Sequence, residues 1–401
     1  MKSSNIFLIL TAVCILTIIA LVGCGGDEGS ATVILTLSGV PSSCTKITLT
    51  VTGVEMDTIS GSYTPDTLSV TVDVPAGPLR VLTVLAECPS VYFRASTSRS
   101  LDAGETVSID LTLELYETKL IIPDAENNRV VQIDDMSGAG WKELNWDDLT
   151  SSSTELGFTF DYEFAPYDID FDSQGRIYIA NYAQSGDTSE GVLRVDDIND
   201  TEYDNIISQG ISSIAIDRAN GWLYYTSSGP ELTRSNLEGV SDTDYSSVVS
   251  PSDVSGLAVD ETGMVYATLL YEGNSVIKFD PENTSDTIGD GVSGYPEDII
   301  VKTPYAYVVD SSTPALRTYA VDDLTEGTPY GSQDDGEDPD DPGEFFGPRR
   351  FVAPVNKKLY IIDHDFFERK LVALEDSTGV GWETYGTAGT GVGQFKFYST
   401  C

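Results

Sequence analysis

The sequence predicts an all-β protein, a small N-terminal β-sandwich followed by a six-bladed β-propeller, and three observations lead there. Residues 31–115 break into short β-branched and apolar runs separated by turn residues. From residue 116 onward one strand–turn–strand pattern recurs, and its turn aspartates Asp172, Asp217 and Asp260 step by 45 and 43 residues. A period in the forties with four strands per unit is the signature of propeller blades. At 40% hydrophobic and 21% charged over 401 residues, the chain is neither disordered nor a multi-span membrane protein.

The N-terminus reads as an address. Met1-Lys2-Ser3-Ser4 carries one positive charge and is followed by a mostly apolar stretch over residues 6–22, short for a bilayer span of about 20 residues and long for a signal core of about 7–15. Leu21-Val22-Gly23-Cys24 decides between them, because it resembles the lipobox of bacterial lipoproteins. The resemblance implies that residues 1–23 are a signal peptide and that Cys24 becomes a lipidated N-terminus, its thiol and amine carrying acyl chains that make anchoring stable when two or three are attached. Residues 24–30, rich in Gly, Ser and acids, form a polar tether. Gly25 stands where aspartate would retain an enterobacterial lipoprotein at the inner membrane, so the expected location is the bacterial envelope, at the outer membrane or cell surface.

Cysteine usage agrees with export. Of five cysteines, Cys14 leaves with the signal and Cys24 is taken by lipid. Cys44 and Cys88 both lie beside predicted strands and are expected to form a disulfide, two buried thiols being the alternative. Cys401 is left over. Between these cysteines and beyond them, strands are predicted at residues 32–37, 46–51, 68–74, 80–86, 91–95 and 106–113, with Gly104-Glu105 turning into the last. The two-sheet pattern resembles the Ig-like or transthyretin-like modules found behind lipoprotein anchors, which implies a spacer or adhesion role.

In residues 116–401 the repeat is strongest at 167–179, 214–225 and 257–266, each with a turn glycine (Gly175, Gly221, Gly263), and weaker at 299–307 and 351–360. A following strand ends each unit in an acid or amide at Asp134, Asp196, Asn236, Asp280, Asp322 and Glu375, a count of six. The first unit begins at Lys119-Leu120-Ile121-Ile122, aligned with the second strand of the others. Its missing first strand is available at Phe395-Lys396-Phe397-Tyr398-Ser399, which would close the ring and remove both sheet edges. Asp124-Ala125-Glu126-Asn127-Asn128-Arg129-Val130-Val131 and the Gly-rich stretches at 342–348 and 386–395 resemble the NHL family of propellers; gluconolactonase-like propellers are similar at this level.

Chemistry is sparse. A net charge of −42 repels phosphate backbones, so no nucleic-acid partner is expected. A single histidine, His364, excludes the multi-histidine zinc site of NHL-like lyases, and no nucleophile elbow accompanies it. The turn aspartates read as ordinary turn chemistry. The acidic run at 334–344 fails as an EF-hand, with Pro342 at the fifth and Arg349 at the twelfth place. The ends of the second strands, near the channel mouth, present Asp124, Asn181, Ser227, Leu269, Asp310 and Asp363, with Glu297 close by. Asp124, Asn181, Glu297, Asp310 and Asp363 could converge on Ca²⁺ or Mg²⁺, which take such oxygens; the alternative is that these side chains hold loop amides. The 21 tyrosines suit propeller packing as well as carbohydrate or peptide contact. The leading expectation is a non-catalytic envelope lipoprotein whose propeller face binds a protein or glycan, with no catalytic residues and no cofactor. The alternative is a metal-dependent (Ca or Mg) hydrolase or lactonase.

Overall fold

A computed structural model of the chain describes residues 29–145, 150–151, 164–182, 190–227, 230–250, 252–271, 273–333, 341–352, 358–364 and 369–397. Cys24, the signal segment, Cys401 and most of the acidic run at 334–344 lie outside the described residues. No helix among those described is long and apolar enough to cross a membrane. The chain divides into two compact units, one of residues 1–86 and 94–113, the other of residues 87–93 and 114–401.

The first unit is built on strand alternation. Ser30–Ser38 lies between Ser69–Pro75, antiparallel, and Thr106–Thr112, parallel. Its alternate residues Ala31, Val33, Leu35 and Leu37 are buried while their neighbours are not, as a half-buried strand requires. A second sheet runs in the order Ile59–Tyr63, Lys46–Thr52, Gly77–Glu87, Val91–Leu101. The predicted strands are all present; Ile59–Tyr63 was missed because its Ile-Ser-Gly-Ser-Tyr run carries no apolar alternation. Cys44 and Cys88 are joined in a disulfide.

The second unit is a succession of antiparallel meanders. They begin with Leu120–Asp124, Arg129–Ile133 and Lys142–Asn145. The next is Pro166–Phe171, Ile177–Asn181, Gly191–Val195 and Glu202–Ile207, and then Ile211–Asp217, Trp222–Ser227, Thr233–Asn236 and Ser241–Asp244. Asp253–Val259, Val265–Leu270, Ser275–Asp280 and Asn283–Gly291 follow, then Pro296–Lys302, Tyr305–Asp310 and Ala315–Ala320. Pro348–Val352, Leu359–His364, Arg369–Leu374 and Glu383–Tyr385 come last. First strands pack on first strands from sheet to sheet, and Pro348–Val352 also meets Leu120–Asp124.

The turns between first and second strands are closed by the aspartates that mark the repeat. Asp172 Oδ1 accepts the Gln174 and Arg176 amides at 2.9 and 3.0 Å. Asp217 does the same for Ala219 and Asn220, and Asp260 for Thr262 and Met264. A short carboxylate that bonds backbone two to four residues on is the physical content of the motif.

The C-terminus differs in part from expectation. In its described portion Phe395 does not pair with Leu120–Asp124; Gln394–Phe395 instead pairs in parallel with Thr387–Ala388. The stretch is nevertheless docked on the first sheet. Lys396 N–H donates to Asp124 Oδ1 at 2.6 Å, and Glu126 N–H to the Lys396 carbonyl at 2.9 Å. Phe395 and Phe397 stack at 5.1 Å and are buried with Leu120, Ile122, Val131 and Tyr360. Truncation after Gly393 removes both rings, and loss of one such ring costs about 3–5 kcal/mol. We expect the truncated chain to aggregate or to melt far below the intact one in calorimetry, and Phe395→Ala alone to lower stability by about 3–5 kcal/mol; an unchanged melt would refute this docking.

Candidate functional site

The second strands end where the first strands begin, so one end of the sheets gathers the candidate residues. Asp124, Asn181, Asp310 and Asp363 are all fully buried there. Each accepts the amide of the residue leading into a first strand. Asn181 Oδ1 takes Ala165 N–H at 2.7 Å, Asp310 takes Tyr295 N–H at 3.0 Å, and Asp363 takes Phe346 and Gly347 N–H at 3.1 and 2.9 Å. Lys396 donates to Asp124 in the same manner, which places the C-terminal residues where a first strand would start.

A cation from the following strand lies beside three of these acids, Lys370 Nζ standing 3.9 Å from Asp363 Oδ2. Arg129 Nε reaches Asp124 Oδ2 at 2.7 Å, and Arg317 Nε reaches Asp310 Oδ2 at 2.8 Å. Burial raises the Asp124 carboxyl against the pull of Asn127, Lys396 and Arg129. At Asp310 burial is outweighed by the Thr313 hydroxyl and Arg317, and the carboxyl is held below its ordinary range. Glu297 has a different environment, bonded to Ser311 Oγ and paired with Arg349. At the corresponding ends in the remaining sheets, Ser227 bonds Glu231 and Leu269 is buried. The five candidate ligands are thus each held by their own partners, and among the described residues no group of three or more His, Cys, Asp or Glu could hold a metal ion. His364, 2% exposed, packs its ring 6.0 Å from Phe397.

Sequence reasoning missed what lies next along the first strands. Each starts with a one-residue register shift, at Tyr167, Ser212, Ser255, Glu297 and Arg349. Such a bulge re-aims the side chain after it. Asp168 Oδ2 then accepts Ser213 Oγ and Ile214 N–H at 2.8 and 2.9 Å from the next sheet. Ser213 Oγ accepts Leu257 N–H at 3.1 Å, and Asp298 Oδ2 accepts Phe351 N–H at 2.9 Å. Gly256 makes room for Asp298, since a Cβ there would stand 2.5 Å from its Oδ1. At the next position on the same face of the strand, Asp170 accepts Ile216 N–H at 2.7 Å and pairs with Arg218.

Arg350 crosses this region. It lies over the Tyr167 ring at 5.4 Å and donates to the Ser255 carbonyl at 3.4 Å, and its charge offsets both Asp168 and Asp298. Burial raises both carboxyls, and the neighbouring Asp168 charge also helps push Asp298 up to about 7. Beyond them opens a cavity of about 610 Å³ lined by Asp170, Ala215, Arg218, Ala258 and Ile300.

The tyrosines fall into two sets. Tyr178, Tyr224, Tyr266, Tyr307 and Tyr360 occupy the same place in successive second strands and are at most 6% exposed. Burial pushes Tyr178, Tyr224 and Tyr360 up to about 12, so these are packing residues. Tyr271 and Tyr295, on loops at the second-strand end, are 72% and 50% exposed. Tyr271 sits at φ 79°, a conformation unusual for a bulky side chain.

No family model matches the sequence, and no curated protein does. Among solved structures the chain is similar to one in the crystal structure of a nidogen/laminin complex, at 14% identity over 66% of this chain and 92% of that one, with a TM-score of 0.50. It is also similar to a protein of unknown function from Bacteroides caccae, at 15% identity, 66% and 92% coverage and a TM-score of 0.46. The likeness is one of fold: the chain contains a β-propeller.

Two acids against one arginine at a buried site make stability depend on pH. The folded Asp298 carboxyl binds its proton more tightly than in the unfolded chain. Its contribution is therefore complete below the ordinary carboxylate range and is lost as pH rises from about 4 toward 7. Asp298→Asn should flatten that decline and exceed the parent in stability at pH 8 by at least about 1 kcal/mol, measured by denaturant titration across pH; parallel curves would contradict it.

Proposed function

We propose that this β-propeller protein is a non-catalytic lipoprotein of the bacterial envelope, moored through Cys24, with a small β-sandwich as spacer and a six-bladed propeller that recognises a partner outside the membrane. The six-blade reading rests on the repeat count and on the contact of Pro348–Val352 with Leu120–Asp124. The sandwich reading rests on two sheets whose strands alternate buried and exposed residues. Lipidation and placement at the outer membrane or surface rest on the Leu21-Val22-Gly23-Cys24 motif and Gly25.

The observation that carries recognition is a division of labour at the second-strand end. Asp124, Asn181, Asp310 and Asp363 are buried and committed to holding the loops, while Tyr271 and Tyr295 stand in solvent on those loops. Carboxylates locked by backbone amides and arginines are poor metal ligands and poor acid–base groups. They are good supports for a contact surface.

Two measurements test this reading. Mass spectrometry of the mature N-terminal peptide should find acyl chains on Cys24, and Cys24→Ser should release the protein from membranes. Vesicles carrying the full chain should adhere to a polysaccharide- or protein-coated surface. Tyr271→Arg and Tyr295→Arg should abolish adhesion, whereas Glu261→Arg and Thr262→Arg at the opposite end of the sheets should leave it intact. Adhesion insensitive to the first pair, or equally sensitive to both, would count against recognition at this face.

A further inference from the structure

We infer that Tyr271 and Tyr295 form a rigid aromatic platform for an uncharged glycan chain; the inference rests on the recognition reading above and names its ligand class. The two loops are tied by one side chain. Asn274 Oδ1 accepts Tyr271 N–H at 2.9 Å, and Asn274 Nδ2 donates to the Gly294 carbonyl beside Tyr295. Val292 N–H donates to the Asn274 carbonyl at 2.7 Å, a second tie between the same loops. Tyr295 is fixed from its other side, its N–H shared by Asp310 Oδ1 and Ser312 Oγ at 3.0 and 3.1 Å. The backbone beneath both rings is therefore held by side-chain hydrogen bonds, and both rings are exposed.

The strained φ of Tyr271 points the same way. A bulky residue in the left-handed region costs stability and persists only where the surroundings impose it. Here the Asn274 bonds impose it, and what the conformation gains is a ring presented 72% exposed.

The surroundings select the partner. The described residues of these loops, Tyr271, Gly273, Asn274, 292–296 and 311–313, include no Lys, Arg, Asp or Glu. Their polar atoms are hydroxyls, amides and backbone groups. Glu272, the one acid in this stretch of sequence, lies outside the described residues. A protein interface needs roughly 800 Å² per partner with an apolar centre, and the only aliphatic side chain in the described part of these loops, Val292, is 7% exposed. Rigid tyrosines among Ser, Gly, Asn and Thr supply contact area at low entropy cost together with adaptable uncharged hydrogen bonding. Sugar rings offer the matching surface, C–H faces for the aromatic rings and hydroxyls for the amide and hydroxyl groups. With a net charge of −42 over the chain, anionic glycans are disfavoured.

The test is native affinity electrophoresis of the full chain in detergent through gels containing dextran, mannan, β-1,3-glucan or β-1,4-glucan, with Tyr271→Gly, Tyr295→Ala and Glu261→Arg beside the parent. We expect retardation by at least one neutral polysaccharide, retained at 0.5 M salt as about the regime where surface charge is screened, and reduced at least about tenfold in both tyrosine variants. Glycine relieves the left-handed backbone, so Tyr271→Gly should melt at the same or higher temperature while losing binding, an outcome a merely structural tyrosine would not produce. Lack of retardation by all four, retardation unchanged in the tyrosine variants, or retardation abolished by salt would overturn the glycan platform. If adhesion to a protein-coated surface still depends on Tyr271 and Tyr295, the recognition reading survives that loss; if no adhesion depends on them, both fall.

Discussion

The constraint on which the second unit depends is the backbone amide at the inner edge of each sheet. A first strand has its partner strand on one side only, so its outward N–H groups need acceptors that another strand does not supply. Side chains from the neighbouring sheet fill that need: Asp168 for Ile214, Ser213 for Leu257, Asp170 for Ile216 and Asp298 for Phe351. Each bond is made from one sheet to the next, so the same contact that satisfies the amide also fixes the neighbour's position. Carboxylates suit this role because a charge-assisted bond to N–H is stronger than a neutral one.

The electrostatic consequence is a concentration of acids where water is scarce. Asp168 and Asp298 are kept there by amide donors and by Arg350, which reaches Ser255 from a different sheet. Burying ionised groups is costly unless they are paired and hydrogen-bonded, and a 2:1 ratio of acids to arginine leaves the pairing incomplete. At the second-strand ends the arrangement is better balanced, with Arg129 on Asp124 and Arg317 on Asp310. Arg129 also binds the carbonyls of Thr390 and Gln394, so one guanidinium secures both the first sheet and the C-terminal segment docked on it.

Much of this was legible from spacing. The turn aspartates, the turn glycines and the second-strand tyrosines recur because every sheet solves the same local problem, closing a tight hairpin and filling the gap to its neighbour. The disulfide was legible because Cys44 and Cys88 both lie beside predicted strands. The roles of Asp168, Asp298 and Arg350 were not, because each depends on a one-residue bulge that shifts the strand's alternation, and no composition signal marks a bulge. Nor could the sequence divide ligand from scaffold at Asp124, Asn181, Asp310 and Asp363. An acid before a loop reads the same whether it faces an ion or an amide.

Local residue order was enough to establish the all-β character, the strand periodicity and the places where the chain must turn, since alternation and turn chemistry act over a few residues. Which side chains are buried supports and which stand free was decided by assembly. Asn274 lies 20 residues from Gly294, and Lys396 lies 272 from Asp124. Bonds across such distances come into being only when separate parts of the chain are packed side by side, and the Asn274–Gly294 bond ties together the loops that carry Tyr271 and Tyr295.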